Sequence, residues 1–289
     1  MPPISDPSRR SGHSEQRIRP YIPLPILLLT SLIPLLGLLF PYFSTQPIAR
    51  FSTYIPSAHD GHPKALILTA HPDDEVMFFS PTILSLVSEG WTVSGLCLST
   101  GNSSGLGVIR TEELYGSYQV LGVERKNVKV IDHRDLQDSL TAHWDPHLIS
   151  DILLDHLNDH PADLTVTFDE IGITHHPNHI SLSQALALLQ THTQPSPKII
   201  HLKSPGVIPK FTGPLYPIYL NLQKILYHIL KSDAQKEGQE EKGLVVVSSP
   251  AQWVQSIQAM MAHRTQLVWF RWLYLAASRL MWVNELIEI

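Results

Sequence analysis

The residues best suited to chemistry fall in two short runs. The first, His71-Pro72-Asp73-Asp74-Glu75, sets one imidazole beside three carboxylates. The second, His175-His176-Pro177-Asn178-His179, offers three imidazoles within five positions. Imidazole nitrogen and carboxylate oxygen are ligands of zinc and related divalent ions. An Asp-Asp-Glu turn alone reads as helix-capping acids, because Asp is favoured at N-caps. A run of histidines alone reads as a solvated loop. His71 adds a second ligand type to the acids, and two such runs in one chain favour a metal centre. Pro72 stiffens the first turn. Pro177 suits a first helical turn and holds His176 extended before it.

Each run needs an element ahead of it to fix its place. An apolar strand over 64–70 precedes the first run, and another over 164–168 precedes the second. Further strands are expected over 92–98, 128–131, 198–202 and 244–247. Helices are expected over 76–89, 110–121, 148–158 and 178–190, the first two stopped by Gly90 and Gly122. This alternation predicts an α/β fold, a Rossmann-like, mostly parallel sheet with helices on both faces. Ligand sites in such sheets lie at the C-terminal ends of strands, which is where both runs fall. A nucleotide-binding protein of this class needs a Gly-rich turn after the first strand, and His-Pro-Asp-Asp stands there instead.

Outside the site-bearing part, residues 232–243 read as a polar insertion. The tail from 251 to 289 is mostly helical in pattern and mixes Trp269, Arg271, Trp272, Arg279 and Trp282. That mixture fits either core packing or a helix at a membrane interface, as does the apolar stretch 211–230.

Charge and composition narrow the class. The 289 residues carry a net charge of −5, which gives no support to a nucleic-acid partner. Charged residues make up only 16 %, pointing to an apolar surface or a membrane segment. Residues 21–43 hold no charged side chain and, as a helix, span ~34 Å, enough to cross a bilayer as an uncleaved transmembrane anchor. The expected organisation is a disordered N-terminus over 1–20, the anchor over 21–43, a linker over 44–63 and a catalytic domain over 64–289. Arg9, Arg10, Arg17 and Arg19 precede the anchor, so the positive-inside rule alone puts the domain on the lumenal side. Cys97 is the single cysteine and reads as a small buried hydrophobe.

The motif Ala70-His71-Pro72-Asp73-Asp74-Glu75 with the later His176-Pro177-Asn178-His179 resembles the PIG-L/LmbE family of zinc-dependent deacetylases. Other runs resemble its eukaryotic branch: Met77 to Thr82, Thr100-Gly101-Asn102, Arg110 with Glu113-Leu114, Leu121-Gly122-Val123, Ile131 to Asp135, Val166 to Asp169, and His263 to Arg271. The resemblance covers about residues 64 to 287. It implies zinc, or another divalent metal, on His71, Asp74 and His179. It implies Asp73 as general base and His176 as the group that stabilises the oxyanion or protonates the leaving amine. Arg110 then matches a position that contacts the inositol or phosphate part, with helix-surface salt bridging as its alternative. Asp135, placed after a strand, is a candidate for sugar hydroxyls, and Glu75 for a supporting or capping role.

The implied substrate is a membrane-borne glycolipid, N-acetylglucosaminyl-phosphatidylinositol. Its hydrolysis to acetate and the glucosaminyl lipid is the second step of GPI-anchor synthesis at the endoplasmic reticulum membrane. The resemblance also places the catalytic domain in the cytosol, against the arginine count. The alternatives are a de-N-acetylase of another N-acetylglucosaminide and a non-catalytic membrane adaptor on the same fold. An adaptor would be expected to have lost a ligand or the base, and all five residues are present.

Overall fold

The computed structural model describes residues 50–54, 62–192, 197–230 and 243–288. The expected anchor over 21–43 and nearly all of the polar insertion lie outside them. Among the described residues, no helix is long and apolar enough to cross a membrane.

A seven-stranded sheet runs in the order β3-β2-β1-β4-β5-β7-β6. Its strands are β1 (Lys64–Thr69), β2 (Thr92–Cys97), β3 (Val128–Val130), β4 (Leu164–Phe168), β5 (Lys198–Leu202), β6 (Gly243–Val247) and β7 (Val283–Ile287). The first five are mutually parallel. In β1, Ala-Leu-Ile-Leu-Thr is buried without a break, as a strand covered on both faces requires. At the edge, Gly243–Val247 alternates buried and half-exposed, the mark of a strand with one open face.

Besides three four-residue helical turns, the helices among the described residues are α1 (Asp74–Phe78), α2 (Ser80–Ser88), α3 (Gly107–Val120), α4 (Pro146–Asp159), α5 (Pro177–His192), α6 (Leu215–Leu230), α7 (Pro250–Met260) and α8 (Trp269–Ala277). The helix expected over 76–89 is two helices. Phe79 leaves the helical region at φ −111°, ψ 0°, and Pro81, with no N–H to give, opens the second. The first of them begins two residues early, at Asp74, so the Asp-Asp-Glu run is partly helical.

The helical reading of the tail needs correction. Only Pro250–Met260 and Trp269–Ala277 are α-helical, and Val283–Ile287 is a strand, antiparallel to both β5 and β6. Asn284 fixes it: its Oδ1 accepts from the Thr82 hydroxyl at 2.7 Å and its Nδ2 donates to the Phe78 carbonyl at 2.9 Å. Trp282 and Arg279 are therefore core residues, not interfacial ones. Trp282 stacks on Trp253 at 5.1 Å, and Arg279 lies over the Tyr216 ring at 4.0 Å and 3.3 Å from Glu285.

The chain runs from β1 outward to β3, then returns to lay β4 on the other side of β1. That reversal opens a crevice beyond the C-terminal ends of β1 and β4, the topological switch point where α/β sheets bind ligands. The first chemical run follows β1 and the second follows β4, so the topology alone sets them on either side of one crevice.

Candidate active site

His71, Asp74 and His179 converge in that crevice, their donor atoms all within 4.8 Å of one another. Asp74 turns its carboxylate back over the end of β1. Its Oδ2 accepts from the Ala70 and His71 N–H groups at 3.0 and 2.9 Å, which leaves Oδ1 facing His179 Nε2 at 3.3 Å. His179 donates through Nδ1 to the Gly172 carbonyl at 3.2 Å, and its ring lies flat against Phe168 at 4.0 Å. With the proton on Nδ1, Nε2 presents a lone pair. That buried atom has no hydrogen-bond partner.

His71 is oriented in the same way. Asn178 donates through Nδ2 to the Ala142 carbonyl, so its Oδ1 is the acceptor for His71 Nε2–H at 3.1 Å. The lone pair of His71 is then on Nδ1, the nitrogen 3.7 Å from Asp74. Two imidazole lone pairs and a carboxylate oxygen therefore point at one spot, each imidazole held by a hydrogen bond on its far side. This is the donor set and the supporting arrangement of a divalent transition-metal site with three protein ligands. Burial opposes charge on His179 and Asp74. Their mutual attraction outweighs it, raising the His179 pKa and holding the Asp74 carboxyl well below the usual range. The pair thus favours positive charge between its members.

Asp73 stands beside this group on a strained backbone, at φ 108°. Such a conformation costs a non-glycine residue ~1–3 kcal/mol and persists only where its surroundings insist on it. Here the Asp73 N–H donates to Glu75 Oε2 at 3.1 Å, and Oδ2 accepts from Arg271 Nη2 at 2.9 Å. Burial raises the Asp73 pKa and Asp74 adds to the rise, while Arg271 and Arg110 work against them. Arg110 is buried and donates to the Gly101 and Pro72 carbonyls at 2.8 and 2.6 Å, with Asp73 at 3.7 Å. Its guanidinium braces the loop as well as facing the cleft.

His176 packs against both metal-type histidines, 4.9 Å from the His71 ring and 4.7 Å from the His179 ring. Burial, helped by repulsion from those rings, pushes its pKa down to about 4, so the ring is neutral at neutral pH. Its Nδ1 accepts from the Asn178 N–H at 3.3 Å, which leaves the proton on Nε2. The turn ahead of it is strained at Ile173 and His175, with φ 62° and 56°. Asp169 holds that turn by accepting from the Ile171 and Gly172 N–H groups and from Ser204. His175 is exposed and does not line the cleft.

The cleft over these residues measures about 340 Å³. His71, Asp73, Asp74, His176, His179 and Arg110 all line it. Asp135 does not. It is exposed and pairs with its neighbours Arg134 and His133, so the fold does not bring it to the cleft. The acid that the 131–138 loop does bring to the cleft is Asp138, 3.3 Å from His71 Nε2 and 3.6 Å from Arg110. Arg271, Gln266 and Ser103 also line the cleft and were missed as site residues. Two of them, Gln266 and Arg271, lie in the run His263 to Arg271, whose Trp269 and apolar neighbours fit a membrane interface equally well from sequence.

The chain matches the family model described as PIG-L, GlcNAc-PI de-N-acetylase, over residues 66–189. It is 36 % identical over 266 residues to the N-acetylglucosaminyl-phosphatidylinositol de-N-acetylase of Bos taurus, covering 91 % of this chain and 97 % of that protein. It is 31 % identical to the protein of the same name from Saccharomyces cerevisiae, covering 89 % of this chain and 92 % of that one. Among solved structures, the zinc-inhibited form of a teicoplanin deacetylase matches 78 % of this chain and 98 % of its own. The TM-score is 0.51 at 14 % identity, which bears on the fold alone. With a switch-point cleft lined by both motifs and relatives aligned over almost their full lengths, the chain belongs to the PIG-L family of GlcNAc-PI de-N-acetylases.

Proposed function

We propose that this protein hydrolyses the N-acetyl group of N-acetylglucosaminyl-phosphatidylinositol, releasing acetate and the glucosaminyl lipid, with zinc as its metal. The observation that carries this is the convergence of His71, Asp74 and His179 beside Asp73 in the switch-point cleft. A divalent ion held by those three residues supplies Lewis acidity, which acidifies water and polarises an acyl oxygen.

The protein's own groups do the rest. Asp73 takes a proton from the attacking water. Its raised pKa makes it a stronger base than an exposed carboxylate, and Arg271 and Arg110 hold it in place. His176, neutral with its proton on Nε2, donates a hydrogen bond to the developing oxyanion, and the protonated Asp73 passes the water's proton on to the leaving amine. The amide C–N bond breaks as the new C–O bond forms. Water's hydroxyl goes to acetate and its proton to the amine. Arg110 and Asp138 line the same cleft and are the groups this reading offers to the sugar and its phosphoinositol.

The setting that fits this substrate is the cytosolic face of the endoplasmic reticulum membrane, with residues 21–43 as the anchor. The decisive assay uses the full chain in detergent with the glycolipid in mixed micelles. Acetate release that is lost on chelation and restored by zinc is the expected result. A zinc-replete, folded enzyme that releases no acetate rejects the reading.

A further inference from the structure

Large apolar side chains stand exposed beside the cleft. Leu140 lines the cleft and is 81 % exposed. Val108 and Ile109 precede Arg110, and Val268, Trp269 and Phe270 lie between the cleft residues Gln266 and Arg271; all five are exposed. Exposed apolar residues gathered in this way mark an interaction surface.

The same character continues on the neighbouring segment. Val207 and Ile208 are 80 % and 84 % exposed. Along α6, Leu215, Tyr219, Leu222 and Leu226 repeat at i, i+4, i+7 and i+11, one helical stripe that is about half exposed at every position. The turn before α6 packs on the C-terminal end of α8. A Cβ on Gly213 would lie 3.0 Å from the Ala276 carbonyl, and Arg279 covers the Tyr216 ring.

Charge adds an independent observation. No acidic residue occurs between Glu170 and Asp233, nor between Glu241 and Glu285, in a chain whose net charge is −5. Both segments of this surface come from those acid-free stretches, which carry Lys203, Lys210, Arg264 and Arg271. These two segments, apolar with aromatic and basic residues and without carboxylates, complement an anionic lipid surface.

We propose that the cleft mouth, the start of α8 and the outer stripe of α6 form one face that rests on an anionic bilayer. This face is made of residues other than the charge-free segment 21–43 and orients the cleft toward lipid headgroups. It rests on the reading of the substrate as a bilayer-borne glycolipid, and the test is arranged to fail separately from that reading.

The full chain is placed in nanodiscs of phosphatidylcholine and phosphatidylserine in which the phosphatidylcholine is brominated near the headgroup. Tryptophan fluorescence of the wild type is quenched, and Trp269→Phe removes most of the quenching. Equal quenching in both proteins overturns the proposal. So does a wild type that escapes quenching and sediments as a dimer, which assigns the face to a second copy. In parallel, the double variant Ile208→Asp/Phe270→Asp slows turnover of the bilayer-borne lipid roughly tenfold, the effect of losing about 1.4 kcal/mol of interfacial binding. Turnover of the free N-acetylglucosaminyl-inositol phosphate headgroup stays unchanged. An equal fall on both substrates overturns the face. If the wild type acts on neither substrate, the deacetylase reading fails while the quenching result still decides on the face.

Discussion

Glu75 and His263, 188 positions apart, form a fully buried ion pair, Oε1 to Nε2 2.6 Å. Burial disfavours the charged imidazole, but the Glu75 carboxylate outweighs it and raises the His263 pKa. The Ser117 hydroxyl donates to the same Oε1, and the other oxygen accepts the Asp73 N–H. One carboxylate thus joins the strained Asp73 turn, helix α3 and the end of helix α7.

Removing one partner leaves an uncompensated charge in the interior, which costs ~3–5 kcal/mol. His263→Ala is expected to lower unfolding stability by about that amount in denaturant titration. The double variant Glu75→Gln/His263→Gln, with neither charge, is expected to recover part of the loss. A single variant within 1 kcal/mol of wild type, against the ~3–5 expected, would show that the pair contributes little.

Asp73→Asn is expected to keep the metal and lose activity by ~10²–10⁴, the usual worth of a general base. Asn tolerates positive φ, so the turn survives the change. Metal content by elemental analysis should match the wild type, whereas His179→Ala should lose it. Turnover near wild type in a folded, metal-loaded Asp73→Asn protein would remove Asp73 from the base role.

His156 gives the fold a pH dependence of known sign. It is buried on α4, and neither ring nitrogen has a hydrogen-bond partner. Burial, with repulsion from His160 and Lys129, lowers its pKa from 6.5 to about 4. The folded state therefore binds this proton less readily than the unfolded chain. Its contribution is fully present above pH 6.5 and declines as the pH falls toward about 4. His156→Leu should flatten the stability profile over that window. An unchanged slope would place the responsible group elsewhere.

Asn102-Ser103-Ser104 is an exposed acceptor sequence for N-glycosylation. With the catalytic domain in the cytosol, Asn102 carries no glycan when the chain is made in eukaryotic cells. A glycosidase-sensitive mass shift that disappears in Asn102→Gln would put the domain in the lumen.

The core of the fold was legible in the sequence because its strands are short apolar runs bounded by turns. Lys64–Thr69 and Leu164–Phe168 each stand out, and each ends at a chemical run. Residues of the tail were harder to read. Val283–Ile287 follows two helical segments with no Gly or Pro before it, and its place beside β5 and β6 is set by distant partners, such as Thr82, which donates to its Asn284. Site residues outside the two runs share that difficulty. Asp138 and Asp135 sit three positions apart in one polar loop, and only the path of the chain decides which faces His71. Arg271 reaches Asp73 across 198 positions, a separation no local pattern reveals.

The crevice between β1 and β4 has a consequence for folding. The donors on its two sides belong to the two windings of the sheet, His71 and Asp74 after β1 and His179 after β4. An ion bound across it closes a long loop and binds only the state in which β4 has docked on β1. It therefore acts as a removable staple. The melting temperature should rise with free metal concentration, and a nascent chain released before α5 is made should have no grip on the ion.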